Sequence, residues 1–156
     1  MEEQVRIIVA LKFIEEPDDL LNRALKVANK YNAKIYLLHV LQDMPHLSFY
    51  SDSYKYWVEF RDAAVRDTIK QMAKYIEKLS GEFEEVEPIV VVGEPVEAIL
   101  NEADRIDADL IIVGNHALSG LKHFMHHNIG EKIVRLSKRP VLSFYLGETQ
   151  DSKGSD

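Results

Sequence analysis

Five short runs rich in β-branched and aliphatic residues recur along the chain, each separated from the next by a longer stretch, usually with helical spacing. This alternation leaves few folds open. The runs are Val5–Leu11 (VRIIVAL), Lys34–Leu41 (KIYLLHVL), Val86–Val92, Asp109–Gly114 (DLIIVG) and Pro140–Leu146 (PVLSFYL). Their apolar residues are consecutive rather than alternate, the pattern of strands buried on both faces. Such strands, interleaved with helices, build a parallel sheet covered on both sides through right-handed crossovers, which is a three-layer, doubly wound α/β domain. In sheets of this kind ligands bind beyond the carboxyl ends of the strands, where the strand order reverses.

The intervening stretches carry helix signals. Pro17 suits a first helical turn, Asp18 and Asp19 complement its dipole, and Leu20, Leu21, Ala24, Leu25 and Ala28 follow at helical spacing. From Asp52 to Leu79 the positions Val58, Val65, Ile69, Met72, Ile76 and Leu79 keep a three-and-four rhythm, with Gly81 placed as a C-cap. Pro95–Arg105 forms a third helix, with Val96, Ile99, Leu100 and Ala103 inward. Asn128 followed by Glu131 reads as a capping box that opens a fourth helix through Ile133, Val134 and Leu136. Two segments read as irregular: the polar and aromatic loop Gln42–Ser51, and residues 115–127. One domain covers residues 1–146, and 147–156 read as a disordered polar tail.

Composition narrows the function. The 156 residues carry 26 acidic against 19 basic side chains, net −7, which argues against nucleic-acid binding. No cysteine is present, so disulfides, thiol nucleophiles and Cys-ligated zinc are excluded. The start Met1-Glu2-Glu3 has no basic segment or long apolar run after it, which leaves the cytoplasm as the default compartment and no membrane partner.

Several segments together resemble the universal stress protein family. They are Val113-Gly114-Asn115-His116-Ala117-Leu118-Ser119-Gly120-Leu121, Gly130-Glu131-Lys132-Ile133-Val134-Arg135 and Arg139-Pro140-Val141-Leu142. Gly93-Glu94-Pro95, Asp107–Gly114 and Leu38-His39-Val40 extend the match in order and spacing from Val5 to Leu146. The resemblance implies strand order 3-2-1-4-5, an adenine nucleotide alpha hydrolase-like fold and a homodimer through the strand Pro140–Leu146. It also implies a binding site that, on this chain, falls on Lys12, Val40, Gly114, His116, Ala117, Gly120, His127, Asn128 and Ile129.

Members of the family that bind ATP carry Gly, two residues, Gly, nine residues, Gly, then Ser or Thr, a backbone nest for phosphates. Here those slots hold Gly114, Ala117, His127 and Asn128. The spacing survives, but only the first residue type does. His127 sets an imidazole where bare backbone would approach an anion, and Lys12 stands where the resemblance implies an aspartate. No cofactor is therefore expected, with ATP disfavoured by Lys12, Ala117 and His127. The leading reading is a non-enzymatic, dimeric stress-response or regulatory protein; the alternative is a nucleotide-sensing switch with a modified glycine loop.

Other features have plainer explanations. Residues 115–146 hold Lys122, Lys132, Arg135, Lys138 and Arg139 against Glu131 alone, which with Lys12 allows a small anionic ligand, but a solvated helix face is the preferred reading of Lys132, Arg135 and Lys138 because charged helix faces usually are. Histidines 116, 123, 126 and 127 lack a helix-borne metal motif and are read as unliganded. His39, inside an apolar strand, reads as a hydrogen-bonded structural residue. Tyr50, Tyr54, Tyr56 and Trp57 could cap a ligand pocket or form a partner surface, but core or helix–sheet packing is the commoner use of such a cluster and the preferred reading. Ser119 and Ser143 lie in no nucleophile elbow.

Overall fold

A computed structural model describes residues 3–11, 17–42, 51–79, 85–117 and 129–148. In chain order the elements are β1 (Arg6–Leu11), α1 (Pro17–Tyr31), β2 (Lys34–Gln42), α2 (Ser51–Leu79), β3 (Val86–Gly93), α3 (Pro95–Arg105), β4 (Leu110–Ala117), α4 (Ile129–Leu136) and β5 (Val141–Glu148). The strands form one parallel sheet in the order β3-β2-β1-β4-β5. Both the fold class and the strand order expected from the sequence are found.

The central strand explains the layering. Ile7, Ile8 and Val9 of β1 are fully buried, and their side chains alternate between the two faces. Ile7 and Val9 join Ile35, Leu37 and Ile112 beneath Leu20, Leu21, Ala24 and Ala28 of α1 and Met72 of α2. Ile8 joins Leu38, Ile111 and Val113 beneath Val96, Ile99 and Ala103 of α3 and Ile133 of α4. The core is thus two apolar layers, one on each side of the sheet.

The same device ends α1 and α3. In each, a residue with positive φ follows the helix, Asn32 at 49° and Asp107 at 52°. The next amide reaches back to close the turn, Ala33 to the Ala28 carbonyl at 2.9 Å and Ala108 to that of Ala103 at 2.9 Å. All four alanines are buried, Ala28 and Ala33 in the core layer on one side of the sheet and Ala103 and Ala108 in the layer on the other. These are Schellman closures, with an Asx residue tolerating the left-handed position. The sequences match as well, Ala28-Asn-Lys-Tyr-Asn-Ala33 and Ala103-Asp-Arg-Ile-Asp-Ala108.

Two arginines secure the second closure. Arg139 donates to Asp107 at 3.0 Å, to Asp104 at 3.2 Å and to the Ala108 carbonyl at 2.6 Å. The Asp107 hydrogen bond, with Asp104 adding to it, holds Arg139 more firmly protonated than an ordinary arginine. Arg6 donates to the Ile106 carbonyl at 3.2 Å from the neighbouring strand. At the other end of α3, Pro95 occupies the first turn, and the Glu94 carboxylate accepts from the Glu97 amide at 2.8 Å.

Element boundaries differ from the sequence reading in two informative places. Asn115–Ala117 are strand rather than irregular, because Asn115 and Ala117 pair with Tyr145 and Glu148 of β5. β5 in turn continues through Gly147 and Glu148 instead of stopping at Leu146. Polar residues extend both strands because pairing between neighbours satisfies the backbone whatever the side chain. The Gly81 C-cap, the Asn128 N-cap, loop residues 43–50 and the tail from 149 lie outside the described residues. No helix among the described residues is long and apolar enough to cross a membrane.

The Schellman closure at Asn32 yields a paired prediction. Asn32→Gly, which removes the cost of a left-handed Cβ, should raise stability by up to about 1 kcal/mol. Asn32→Val should lower it by roughly 1–2 kcal/mol. Urea unfolding followed by circular dichroism measures both, and equal midpoints for the two variants would contradict the account.

Candidate functional site

The strand order reverses between β1 and β4, which lie side by side with Ala10 opposite Val113. Around their carboxyl ends the sequence-derived site residues separate into two groups. Val40 at the end of β2 and Ile129 at the start of α4 pack on the same side of the sheet, against a cluster that includes Ala10 and Val113. They form an apolar floor on the α3/α4 face.

Gly114 lies on the other face. A Cβ built on it would sit 2.5 Å from Leu146 Cδ1 and 3.5 Å from Leu20 Cδ2. Both leucines belong to the α1 side of the core. Beside it the β4–β5 register shifts: from Asn115 to Ala117 β4 advances two residues while β5 advances three, from Tyr145 to Glu148. A bulge of this kind re-aims side chains at a sheet rim. Packing against Leu146 therefore accounts for a glycine at 114 without any ligand.

His116 and Ala117 belong to the end of β4 as backbone. Lys12, Gly120, His127 and Asn128 lie outside the described residues, as do Lys122, Ser119 and histidines 123 and 126. Among the described residues no group of three or more His, Asp or Glu side chains could hold a metal ion. His39 has a structural role: its Nδ1–H donates to the Leu11 carbonyl at 3.1 Å, tying β2 to the last residue of β1. Ser143 is exposed on β5.

Residues 5–144 match the universal stress protein family. The chain belongs to that family. The universal stress protein YxiE of Bacillus subtilis is 28% identical over 142 residues, covering 88% of this chain and 96% of that one. MJ0577 of Methanocaldococcus jannaschii is 30% identical over 88 residues, 54% of each chain. Its solved structure superposes with a TM-score of 0.67, covering 97% of this chain and 98% of that one at 22% identity. A universal stress protein solved in complex with cAMP superposes with a TM-score of 0.64 at 22% identity, covering 92% and 98%.

Two readings of the sequence fare differently in the structure: the solvated face of α4 is supported, and the packing of the α2 aromatics needs correction. Of the described basic residues of segment 115–146, Arg135 and Arg139 do not gather at the site. Arg139 is consumed by Asp104 and Asp107 at the amino end of the sheet, and Arg135 pairs with Glu131 on its own helix at 3.4 Å. Residues close in sequence are parted because α4 runs from the carboxyl to the amino end of the strands. This removes two of the cations that favoured an anionic ligand and leaves exposed Arg135 and Lys138 on a solvated face.

The aromatic residues of α2 are not in the core. Tyr56 is 73% and Tyr54 49% exposed, and Phe60 beside them is 66% exposed. Trp57, half-buried, stacks on Tyr54 at 6.2 Å and lies under the Arg61 guanidinium at 4.8 Å. The cause is length. The 29 residues of α2 extend ~43 Å, against ~26 Å for the 8 residues of β3, so the first turns of the helix have no sheet beneath them. Buried positions begin only at Thr68, and the first fully buried side chain is Met72. Tyr50 lies outside the described residues.

The packing account of Gly114 is open to a double-mutant cycle. Gly114→Ala should cost about 1 kcal/mol, because the mobile end of Leu146 must swing aside. Leu146→Ala, which opens that space, should make the same substitution nearly neutral. If Gly114→Ala costs as much in both backgrounds, Leu146 is not its reason.

Proposed function

We propose that this universal stress protein acts without catalysing a reaction, as a cytoplasmic, homodimeric regulator, and that its switch-point site does not hold ATP tightly. The observation that carries the reading is the fit of Leu146 against Gly114. Gly114 is the one glycine retained from the four-slot nucleotide pattern, and packing against Leu146 favours a glycine there. Its presence therefore says nothing for phosphate binding, while the other three slots and Lys12 have lost the residue types that binding uses. A second reading, a nucleotide-sensing switch, draws support from the fold neighbour solved with cAMP.

Calorimetry separates the two. The unmodified chain should show no binding of ATP or cAMP at micromolar concentrations, whereas Lys12→Asp, Ala117→Gly, His127→Gly and Asn128→Ser combined should gain ATP binding. Micromolar affinity of the unmodified chain for either nucleotide would favour the switch.

Support for the dimer comes from the two sheet edges. The Ile35 amide donates to the Glu85 carbonyl at 2.9 Å, so odd residues of β3 face β2 and even ones face outward. Pro88 thus falls at an outward position, where its missing N–H and its ring block strand addition. The Ile111 amide donates to the Pro140 carbonyl at 3.0 Å, so Val141, Ser143 and Tyr145 face outward on β5. That edge carries no proline, and Leu136 and Tyr145 beside it are 58% and 56% exposed.

Ser143→Pro removes a donor that the single chain does not use. It should yield a folded monomer in sedimentation equilibrium, where the parent chain is a dimer. A parent that sediments as a monomer at micromolar concentration would overturn the dimer.

A further inference from the structure

α2 carries a second regular stripe besides the one buried on the sheet. Thr68 and Met72 mark the buried stripe. On the opposite side Tyr56, Glu59, Ala63, Arg66 and Lys70 follow at spacings of three, four, three and four, the rhythm that keeps a seam of side chains facing a second helix. Tyr56 and, beside the seam, Phe60 are 73% and 66% exposed, two large rings that a merely solvated face does not need. Glu59, Arg66 and Lys70 are exposed and only Ala63, at the middle, is small. Neither Glu59 nor Arg66 has an ionic partner among the described residues.

We propose that this face of α2 docks on the same face of a second copy of the chain, with the two helices antiparallel about a two-fold axis at Ala63. The occupant follows from how the charges are laid out. Turning the helix end for end about Ala63 sets Tyr56 level with Lys70 of the other copy, and Glu59 within ~1.5 Å in height of its Arg66. At 3.6 residues per turn, Glu59 and Arg66 lean to one flank of the contact line, and Phe60 and Asp67 to the other. The two-fold axis keeps each flank opposite itself, so Glu59 meets Arg66 twice and the two acids Glu59 and Asp67 stay apart. Phe60 lies on the second flank against the Ala63 turn of the facing copy, and Lys70 beside the Tyr56 ring adds cation–π attraction. Ala63 faces itself, which lets the helix axes approach to about 8 Å. A parallel pair would instead set Glu59 on Glu59 and Arg66 on Arg66.

This contact goes beyond the strand pairing proposed for β5 and does not depend on it. α2 packs on β3 at one margin of the sheet, and β5 is the other margin. Neither contact occupies the other's surface, and used together they join dimers into larger assemblies. One helix face sits at the small end of the interface range, so a Kd of roughly 0.1–1 mM is expected for α2 alone, above the micromolar range in which β5 pairing is read.

The absence of cysteine leaves each introduced thiol without a competitor in its chain. In the Ser143→Pro background, which removes the β5 contact, Ala63→Cys should self-cross-link under mild oxidation at about 0.5 mM protein, because the axis brings its Cβ atoms within disulfide reach. Ala73→Cys, exposed on the same helix and far from the axis, should not. Glu59→Lys should cut the Ala63→Cys yield several-fold, and Arg66→Glu added to it should restore the yield, since the exchanged charges face each other again. Circular dichroism checks that each variant is folded, and the parent chain carries the same thiols if Ser143→Pro is not. A yield for Ala63→Cys no greater than for Ala73→Cys, or one indifferent to Glu59→Lys, overturns the α2 contact. Without any thiol, the mass of the Ser143→Pro chain in sedimentation should rise toward a dimer as the protein approaches about 1 mM, and should stay flat once Tyr56→Ser and Phe60→Ser are added. A flat trace for Ser143→Pro itself overturns the contact as well. Whether Ser143→Pro lowers the mass at micromolar concentration bears on β5 alone, so the two contacts fail separately.

Discussion

A strand with apolar side chains on both faces cannot stop at one covering layer. Ile7, Ile8 and Val9 of β1 reach zero exposure only because α1 and α2 close one side of the sheet while α3 and α4 close the other. Because a parallel strand also needs a crossover on each connection, the helices required for burial are the same helices that return the chain. Placing β1 in the middle then leaves two edges, and the remaining features of the molecule concern how those edges and the reversal beside β1 are handled.

The fold was legible because burial on both faces leaves an unbroken apolar run, a signal that survives in a single sequence. The apolar run of β4 ends at Gly114, since Asn115 and His116 are polar, yet the strand continues to Ala117, where backbone pairing to β5 substitutes for side-chain burial. The Arg139 contacts were hidden for a different reason. Position in the sequence placed it with Lys132 and Arg135, whereas the direction of α4 carries it to the opposite end of the sheet, onto Asp104 and Asp107. The aromatic turns of α2 misled in the same manner, because periodicity reports which residues share a face and is silent on whether anything lies under that face.

The candidate site was legible only as a location. Topology alone puts it at the carboxyl ends of β1 and β4. Which side of the sheet each residue serves depends on strand alternation, and Gly114 and Val40 turn out to face opposite layers. A glycine matched by a motif and a glycine favoured by a neighbouring leucine are identical in sequence, and the packing reason at 114 becomes visible only in the distance to Leu146. Arg23, which donates to the Tyr145 carbonyl at the end of β5, left a weaker trace, an acid four residues before it, and that spacing speaks for helix stability without pointing to a strand more than a hundred residues away.

The matched helix ends Ala28–Ala33 and Ala103–Ala108 act as rulers. Each closes a helix and delivers the chain to a strand at a set height: the Lys34 amide meets the Val5 carbonyl and the Asp109 amide meets that of Arg6, adjacent residues at the start of β1. Both flanking strands are thus gauged from one origin by spacers of equal length, and their far ends come level around β1 for the same reason. An inserted residue in either spacer would exchange the inner and outer faces of the strand that follows. Length is thus as much a constraint at these two junctions as residue type.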